Sequence, residues 1–278
     1  MKTYLSLGAG VDTTAILLMP DILKEMDFVL FADTGGEHPE TYQYMERYIM
    51  PYLEENGKPL IIVQGEENIG GSPVRVMEEA YLKWKMIPTR PIRHCTDKWK
   101  IKPMHKYLAE MYPNEDLRVI IGFAYDERHR MNTTKWKDQT PWYPLIEKEL
   151  TRDDCMKIIS NHGWEIPPKS GCFYCPFQRL DQWKDMRFRH PDLWQRAVAL
   201  EENGSRFPEM TLSNFSKKAN PAYKPRRLRF INAFRKEKKK VPERIPLTLR
   251  EVDMKLGRNL YEFEEYDADG ECSGACMT

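Results

Sequence analysis

Cysteine is scarce in this chain, six residues in 278, far below the density of a disulfide-stapled scaffold. A chain of this length buries about three quarters of the surface its unfolded form exposes. Folding therefore requires neither disulfides nor a structural metal, and in a reducing compartment the cysteines read as metal ligands or reactive thiols. Long apolar runs are lacking too. No stretch approaches the ~18 residues of a membrane-spanning helix. The start MKTYLSLGAGVDTTAILL carries glycines and an aspartate where a secretory signal needs an unbroken apolar segment. We expect a cytoplasmic protein with no membrane partner. No internal repeat is visible, which excludes a solenoid. With 41% hydrophobic and 12% aromatic residues the chain is too apolar for a disordered one.

Net charge is almost absent, 43 basic residues against 42 acidic, but the balance conceals a polarised distribution. From Lys217 to Arg244 twelve Lys or Arg stand against Glu237 and Glu243, a net of +10 in 28 residues. Neutralising phosphates is the main source of nucleic-acid affinity, so nucleic acid is the expected partner of this segment. A solvated charged helix or linker is the alternative.

Along the first 150 residues strand-like and helix-like pieces alternate. Lys2–Leu7, Asp27–Phe31, Leu60–Val63 and the β-branched Leu117–Phe123 read as strands. Between them Thr13–Leu18, Pro39–Glu54 (Tyr44, Tyr48 and Tyr52 at helical spacing), Pro73–Trp84 and Lys100–Met111 read as helices. The alternation predicts an α/β fold: a Rossmann-like, mostly parallel sheet with helices on both faces and its ligand at the strands' carboxyl ends. After Pro144 the pattern changes. Thr151 is an N-cap before the acidic first turn of a helix to Asn161, a Gly/Pro/Cys loop spans Gly163–Pro176, and Gln178–Arg189 and Pro191–Glu202 look helical. We therefore expect a nucleotide-binding domain over 1–150, a smaller helical region with the cysteine loop over 151–205, and a basic segment with an acidic, cysteine-containing tail over 206–278.

Ser6-Leu7-Gly8-Ala9-Gly10-Val11-Asp12-Thr13 lies between a strand and a helix. Its glycines let the backbone approach an anion, and N–H groups at a helix start bind phosphate. Glycines alone fit an ordinary βα turn as well. Asp12 and Thr13 add to them: Gly8 to Thr13 resembles the S-G-G-x-D-[ST] loop of the adenine nucleotide alpha-hydrolase superfamily, with two small positions altered. Phe31 to Tyr42 (FADTGGEHPETY) looks like the second-strand motif of that superfamily's PAPS reductase-like branch, which includes DNA phosphorothioation-type ATP pyrophosphatases. Cys95 to Pro103 (CTDKWKIKP) resembles its substrate motif and Ile121 to Arg128 its fourth-strand motif. Trp142 to Ile146 continues the match in order, so the resemblance covers about residues 2–180.

The resemblance implies ATP with Mg2+ at the sheet's carboxyl edge. Carried over by position, Ser6, Gly8, Gly10, Asp12 and Thr13 surround the phosphates, and Asp33, Thr34 and Gly122 lie near the adenosine. Asp12, Lys98 and Lys102 are the implied catalytic groups, the lysines facing the substrate's negative charge. Read without the resemblance, Asp33 closes a turn and the two lysines, at i and i+4, form a solvated helix face.

Cys172-Phe173-Tyr174-Cys175 is a C-x-x-C pair that leaves zinc, iron–sulfur and a redox dithiol open. Similarity to the assimilatory reductases implies that Cys95 joins the pair in holding a [4Fe-4S] cluster, although one cysteine stands here where those enzymes have two adjacent ones. Cys155 is the candidate fourth ligand, or else a small buried apolar side chain. With three protein ligands one iron stays open for sulfide, as in the related tRNA-thiolating enzymes. In the tail, Cys272 partly resembles the reductases' nucleophilic cysteine, and the acids around it raise its pKa unless it docks beside active-site lysines.

Three functions follow. The first is an ATP-dependent, AMP-forming sulfurtransferase that adenylates a nucleic-acid oxygen and replaces it with sulfur, served by a sulfur donor protein. The second is a reductase of adenylyl sulfate or its 3′-phosphate using Cys272. The third is a silent nucleotide-binding module with structural zinc. Asp12 and Thr13 favour ATP, because the reductases typically lack that pair, and the basic segment points the same way. The acidic tail and its cysteine favour the reductase.

Overall fold

The computed structural model describes residues 1–89, 93–133, 139–204, 211–213, 216–218 and 244–256. Five parallel strands form one sheet in the order β3-β2-β1-β6-β7. They are β1 (Lys2–Leu7), β2 (Phe28–Asp33), β3 (Leu60–Gln64), β6 (Leu117–Ile120) and β7 (Gln139–Trp142). A hairpin, β4 (Glu67–Ile69) with β5 (Ser72–Val74), follows β3. β1 pairs with β2 on one side and β6 on the other, so the strand order reverses there. A crevice at the carboxyl ends of β1 and β6 is where such sheets bind ligands.

The strands are near-continuous apolar runs because both faces of the sheet are covered. Leu5, Leu7, Val29, Phe31 and Ile120 face one core, built with α1 (Val11–Leu17), α2 (Pro20–Glu25) and the helical run from α3 (Pro39–Tyr44) through a wider π-helical turn, Met45–Ile49, to α4 (Met50–Glu55). Tyr4, Phe28, Leu30, Val119 and Ile121 face the other core, which takes Met104 and Leu108 from α7 (Lys102–Met111). A third cluster lies beside the sheet. It joins α5 (Met77–Trp84), the Cys172–Cys175 loop, α10 (Leu180–Arg189), α11 (Pro191–Asn203) and Leu247 to Val252 around the fully buried Trp99, Trp183 and Trp194.

Several elements depart from the sequence reading. Pro73 does not begin a helix: Gly70 and Gly71, both at positive φ, turn the chain into the β4-β5 hairpin, and α5 starts only at Met77. β7 is short and polar, with Pro141 tolerated because it is an edge strand. Between Arg93 and Lys102 the chain forms α6 (His94–Thr96) and a second π-helical turn, Asp97–Ile101, before α7 (Lys102–Met111). After α8 (Pro144–Glu147), Thr151 caps α9 (Arg152–Asn161) as expected, its hydroxyl accepting from Asp154 N while the Asp154 carboxylate accepts from Thr151 N. α9 packs against α1 in the first core, not with the cysteine loop, so packing crosses the boundary expected at 150.

The ends of the basic segment are described and pair antiparallel: β8 (Ser216–Lys218) against β9 (Arg244–Pro246), with Lys218 opposite Arg244. The rest of that segment and Cys272 lie outside the described residues. No helix among the described residues is long and apolar enough to cross a membrane.

Candidate active site

The loop after β1 is short and tightly held. Ala9 adopts φ 52°, a left-handed conformation that glycine occupies more readily. Gly10 is the extended N-cap of α1, and the Thr13 hydroxyl donates back to its carbonyl at 3.3 Å. Ser6, Asp12 and Thr13 are each about 5% exposed. Gly122, at the end of β6, lies against this loop: a Cβ there would stand 2.7 Å from Thr13 Cγ2 and 3.2 Å from Thr13 N. Its role is to let the strand end pass the start of α1.

Asp12 is the charged centre of the loop. One carboxylate oxygen accepts from Arg152 Nη1 at 3.2 Å, while the other, Oδ1, is buried with no hydrogen-bond partner. Burial raises its pKa to about 6, against the opposing pull of Arg152. A buried carboxylate with one unpartnered oxygen beside a phosphate-type loop is suited to a divalent cation carried by a nucleotide.

At the end of β2 the chain does something different. Asp33 is fully engaged in closing its turn: Oδ1 accepts from Gly35 N at 2.8 Å and from the Tyr42 hydroxyl at 2.6 Å, and Oδ2 accepts from Gln64 Nε2 at 3.2 Å. Thr34, grouped by sequence with the adenosine site, faces the cysteine loop instead. Its hydroxyl shares a hydrogen bond with Cys172 Sγ at 3.2 Å and donates to Glu37 Oε1 at 3.5 Å. The two loops are stitched along the backbone. Phe173 N donates to Gly36 O at 2.9 Å, His38 N donates to Gly171 O at 3.2 Å, and Glu37 bridges Cys172 in antiparallel fashion.

The lysine at this place is Lys100, which sequence reasoning missed. Its ammonium lies 3.1 Å from Glu37 Oε1, with side chains 14% and 3% exposed. Burial would lower its pKa, but Glu37 and the Cys172 thiol overcome it and keep the ammonium charged. Lys98 instead pairs with Glu67 at 2.7 Å over the Trp84 ring, and the exposed Lys102 pairs with Asp97 at 2.8 Å. The predicted i, i+4 face assumed an α-helix. The wider π-helical turn over Asp97–Ile101 redistributes the side chains, burying Trp99 and turning Lys100 inward. A buried aromatic flanked by lysines in CTDKWKIKP is the only sequence signal that could have found it.

Cys172, Cys175 and Cys95 gather near Lys100. Burial pushes up all three thiols, Cys175 to about 11, and Lys100 opposes the shift in each. Cys172 Sγ also lies 3.7 Å from Glu37 Oε1, so its one hydrogen serves either Glu37 or Thr34. Cys155 is elsewhere, fully buried in the core behind α1, where burial and then Asp12 raise its pKa. It is the small apolar side chain of the alternative reading, not a fourth ligand. Among the described residues no three His, Cys, Asp or Glu side chains converge closely enough, as they stand, to hold a metal ion. The donor chemistry is that of a soft metal centre, iron–sulfur or zinc: buried Cys172 and partly buried Cys95 and Cys175 share one neighbourhood with a cation, and the hydroxyls of Ser170 and Tyr174 beside them are buried without partners.

Comparison with known proteins gives the chain a family. The family described as the phosphoadenosine phosphosulfate reductase domain matches residues 2–168. The chain is 26% identical over 198 residues to an uncharacterized protein of Methanocaldococcus jannaschii, MJ0066, covering 66% of this chain and 37% of that protein. It is 20% identical over 206 residues to a second protein of that organism, MJ0973, covering 69% of this chain and 46% of that one. The chain thus spans less than half the length of either relative. Among solved structures it aligns with the U34-tRNA thiolase NcsA from Methanococcus maripaludis with its [4Fe-4S] cluster, at a TM-score of 0.40 and 14% identity, covering 74% of this chain and 71% of that one.

Proposed function

This chain belongs to the phosphoadenosine phosphosulfate reductase domain family, and from that premise we propose that it is an ATP-consuming, AMP-forming sulfurtransferase acting on nucleic acid. The observation that carries the reading is Asp12, a buried carboxylate with one oxygen unpartnered beside the β1 loop. A reductase's nucleotide carries a sulfate where ATP carries its β and γ phosphates, and has less use for a metal-binding carboxylate at that point.

In this reading the Gly8–Gly10 backbone holds the phosphates and Asp12 holds their Mg2+. The acceptor oxygen attacks the α-phosphorus, the bond from that phosphorus to the bridging oxygen breaks, and pyrophosphate leaves. A sulfur nucleophile at the oxidation level of sulfide, brought by a donor protein, then displaces AMP, which carries the acceptor's oxygen away. No electrons are exchanged with a third party. Lys100 keeps positive charge beside the thiols and so favours their thiolate forms. A [4Fe-4S] cluster on Cys95, Cys172 and Cys175 would supply an iron with an open position for sulfur. The basic segment, closed at its base by Lys218 opposite Arg244, would hold the acceptor's phosphates.

Calorimetric titration of anaerobic protein with Mg-ATP and with PAPS tests the reading. Mg-ATP should bind, the Asp12→Asn variant should lose it, and turnover with nucleic acid should yield AMP and pyrophosphate. Release of ADP, or binding of PAPS alone followed by release of sulfite, overturns it. Binding to duplex DNA or RNA should weaken with salt, at a logarithmic slope of about −0.9 per phosphate contacted on duplex DNA.

A further inference from the structure

The buried carboxylate of Asp12 draws its counter-charge from a residue 140 positions away, Arg152, the first residue of α9. The Asp12 side chain is 6% exposed and that of Arg152 36%, so the guanidinium stands on the solvent side of the carboxylate, at the mouth of the loop. The backbone beneath Arg152 is fixed. Thr151 caps the helix, Arg152 N donates to Asp126 Oδ1 at 3.3 Å, and Cys155 and Ile159 lock α9 into the core. The side chain itself is held by the Asp12 pair and is 36% exposed.

The other arginine near Asp12 is more enclosed. Arg130 pairs with Glu127 at 3.0 Å, both side chains under 15% exposed, and its guanidinium sits 4.4 Å from the Phe123 ring centroid. Arg152 is therefore the cation that can change partners. An arriving divalent ion supplies Asp12 with charge, makes the guanidinium redundant there and repels it. Phosphates arriving with the ion offer oxygens that match a planar guanidinium fork.

Resting on the ATP reading above, we propose that Arg152 reads the phosphates beyond the first. It pairs with Asp12 when the site holds no nucleotide and passes to the β- and γ-phosphates when Mg2+ takes the carboxylate. The ligand class it selects is a nucleoside triphosphate, or pyrophosphate, over a nucleoside monophosphate. AMP lacks the groups that would hold Arg152, so the arginine returns to Asp12 once pyrophosphate has left.

The test is calorimetric titration of the full chain, wild type, Arg152→Ala and Arg152→Lys, with Mg-ATP, Mg-pyrophosphate and AMP. Arg152→Ala should weaken Mg-ATP and pyrophosphate by about tenfold to a hundredfold, the loss of a charge-assisted pair, and move AMP by less than about twofold. Lysine, a point charge without the fork, should restore only part. Retained AMP binding also shows that the variant is folded. Equal weakening of AMP and ATP, or no change in ATP, overturns the proposal while leaving the ATP reading intact. If the wild type binds PAPS and not Mg-ATP, both fall.

Discussion

At the end of β1 the groups suited to phosphate come from one stretch, Ser6 to Thr13, with Gly122 and Arg152 pressed against it. At the end of the adjacent β2, the thiol site draws Thr34 and Glu37, Cys95 and Lys100, and Cys172 and Cys175 from three stretches of chain. The first site is held by backbone geometry and close contact, the second by a buried ion pair and two loops stitched edge to edge. A local site survives the loss of a distant partner but is sensitive to shape. A site assembled from distant segments depends on satisfying the charges it buries.

That contrast is most sharply tested at Lys100. Removing it in Lys100→Ala takes the cation from the buried Glu37 side chain, and should cost about 3–5 kcal/mol in denaturant unfolding. Replacing both members with apolar residues of similar size should recover most of the loss. Lys102→Ala, at an exposed pair, should leave the unfolding midpoint unmoved. If Lys100→Ala is as mild as Lys102→Ala, the ion pair does not hold the thiol site together.

The phosphate loop has its own electrostatic signature, of opposite sense. The Asp12 carboxyl titrates near pH 6 in the folded chain against 3.8 ordinarily, so the fold favours the protonated form. Stability of the nucleotide-free protein should be greatest below about pH 4 as far as this group is concerned, and fall by about 3 kcal/mol as the pH rises through 6. Asp12→Asn should remove that slope and stabilise the apo protein at neutral pH, while abolishing Mg-ATP binding. Unfolding free energies between pH 4 and 7 check both claims, and an unchanged slope in the variant refutes them.

Shape sensitivity is next in size. Gly122→Ala places a methyl 2.7 Å from Thr13 Cγ2 and 3.2 Å from the loop backbone. It should cost about 1–3 kcal/mol and weaken Mg-ATP binding more than the Lys100 variant does. The smallest effect concerns Ala9. Ala9→Gly relieves a left-handed alanine and should stabilise by about 1 kcal/mol or less, with nucleotide affinity unchanged. A loss of stability there would mean that the Ala9 methyl, buried in the core, contributes more than its backbone strain costs.

What could be read from the sequence follows the same division. β1, β2, β3 and β6, the α1 loop and the Thr151 cap were legible because each rests on neighbouring residues: apolar runs, glycines between a strand and a helix, a threonine three positions before an aspartate. The β4-β5 hairpin, the edge strand β7, the inward turn of Lys100 and the two destinies of Cys95 and Cys155 were not. A π-helical turn leaves no periodic signature. A short polar edge strand exists only because β6 offers it hydrogen bonds. A cysteine spacing does not say which core a helix will join. Local chemistry along the chain determined an α/β fold and a phosphate-type loop carrying Asp12. Which lysine faces the thiols, and which arginine neutralises Asp12, was decided only when the tertiary structure buried those charges together, because a buried ion must find its partner in space and not in sequence.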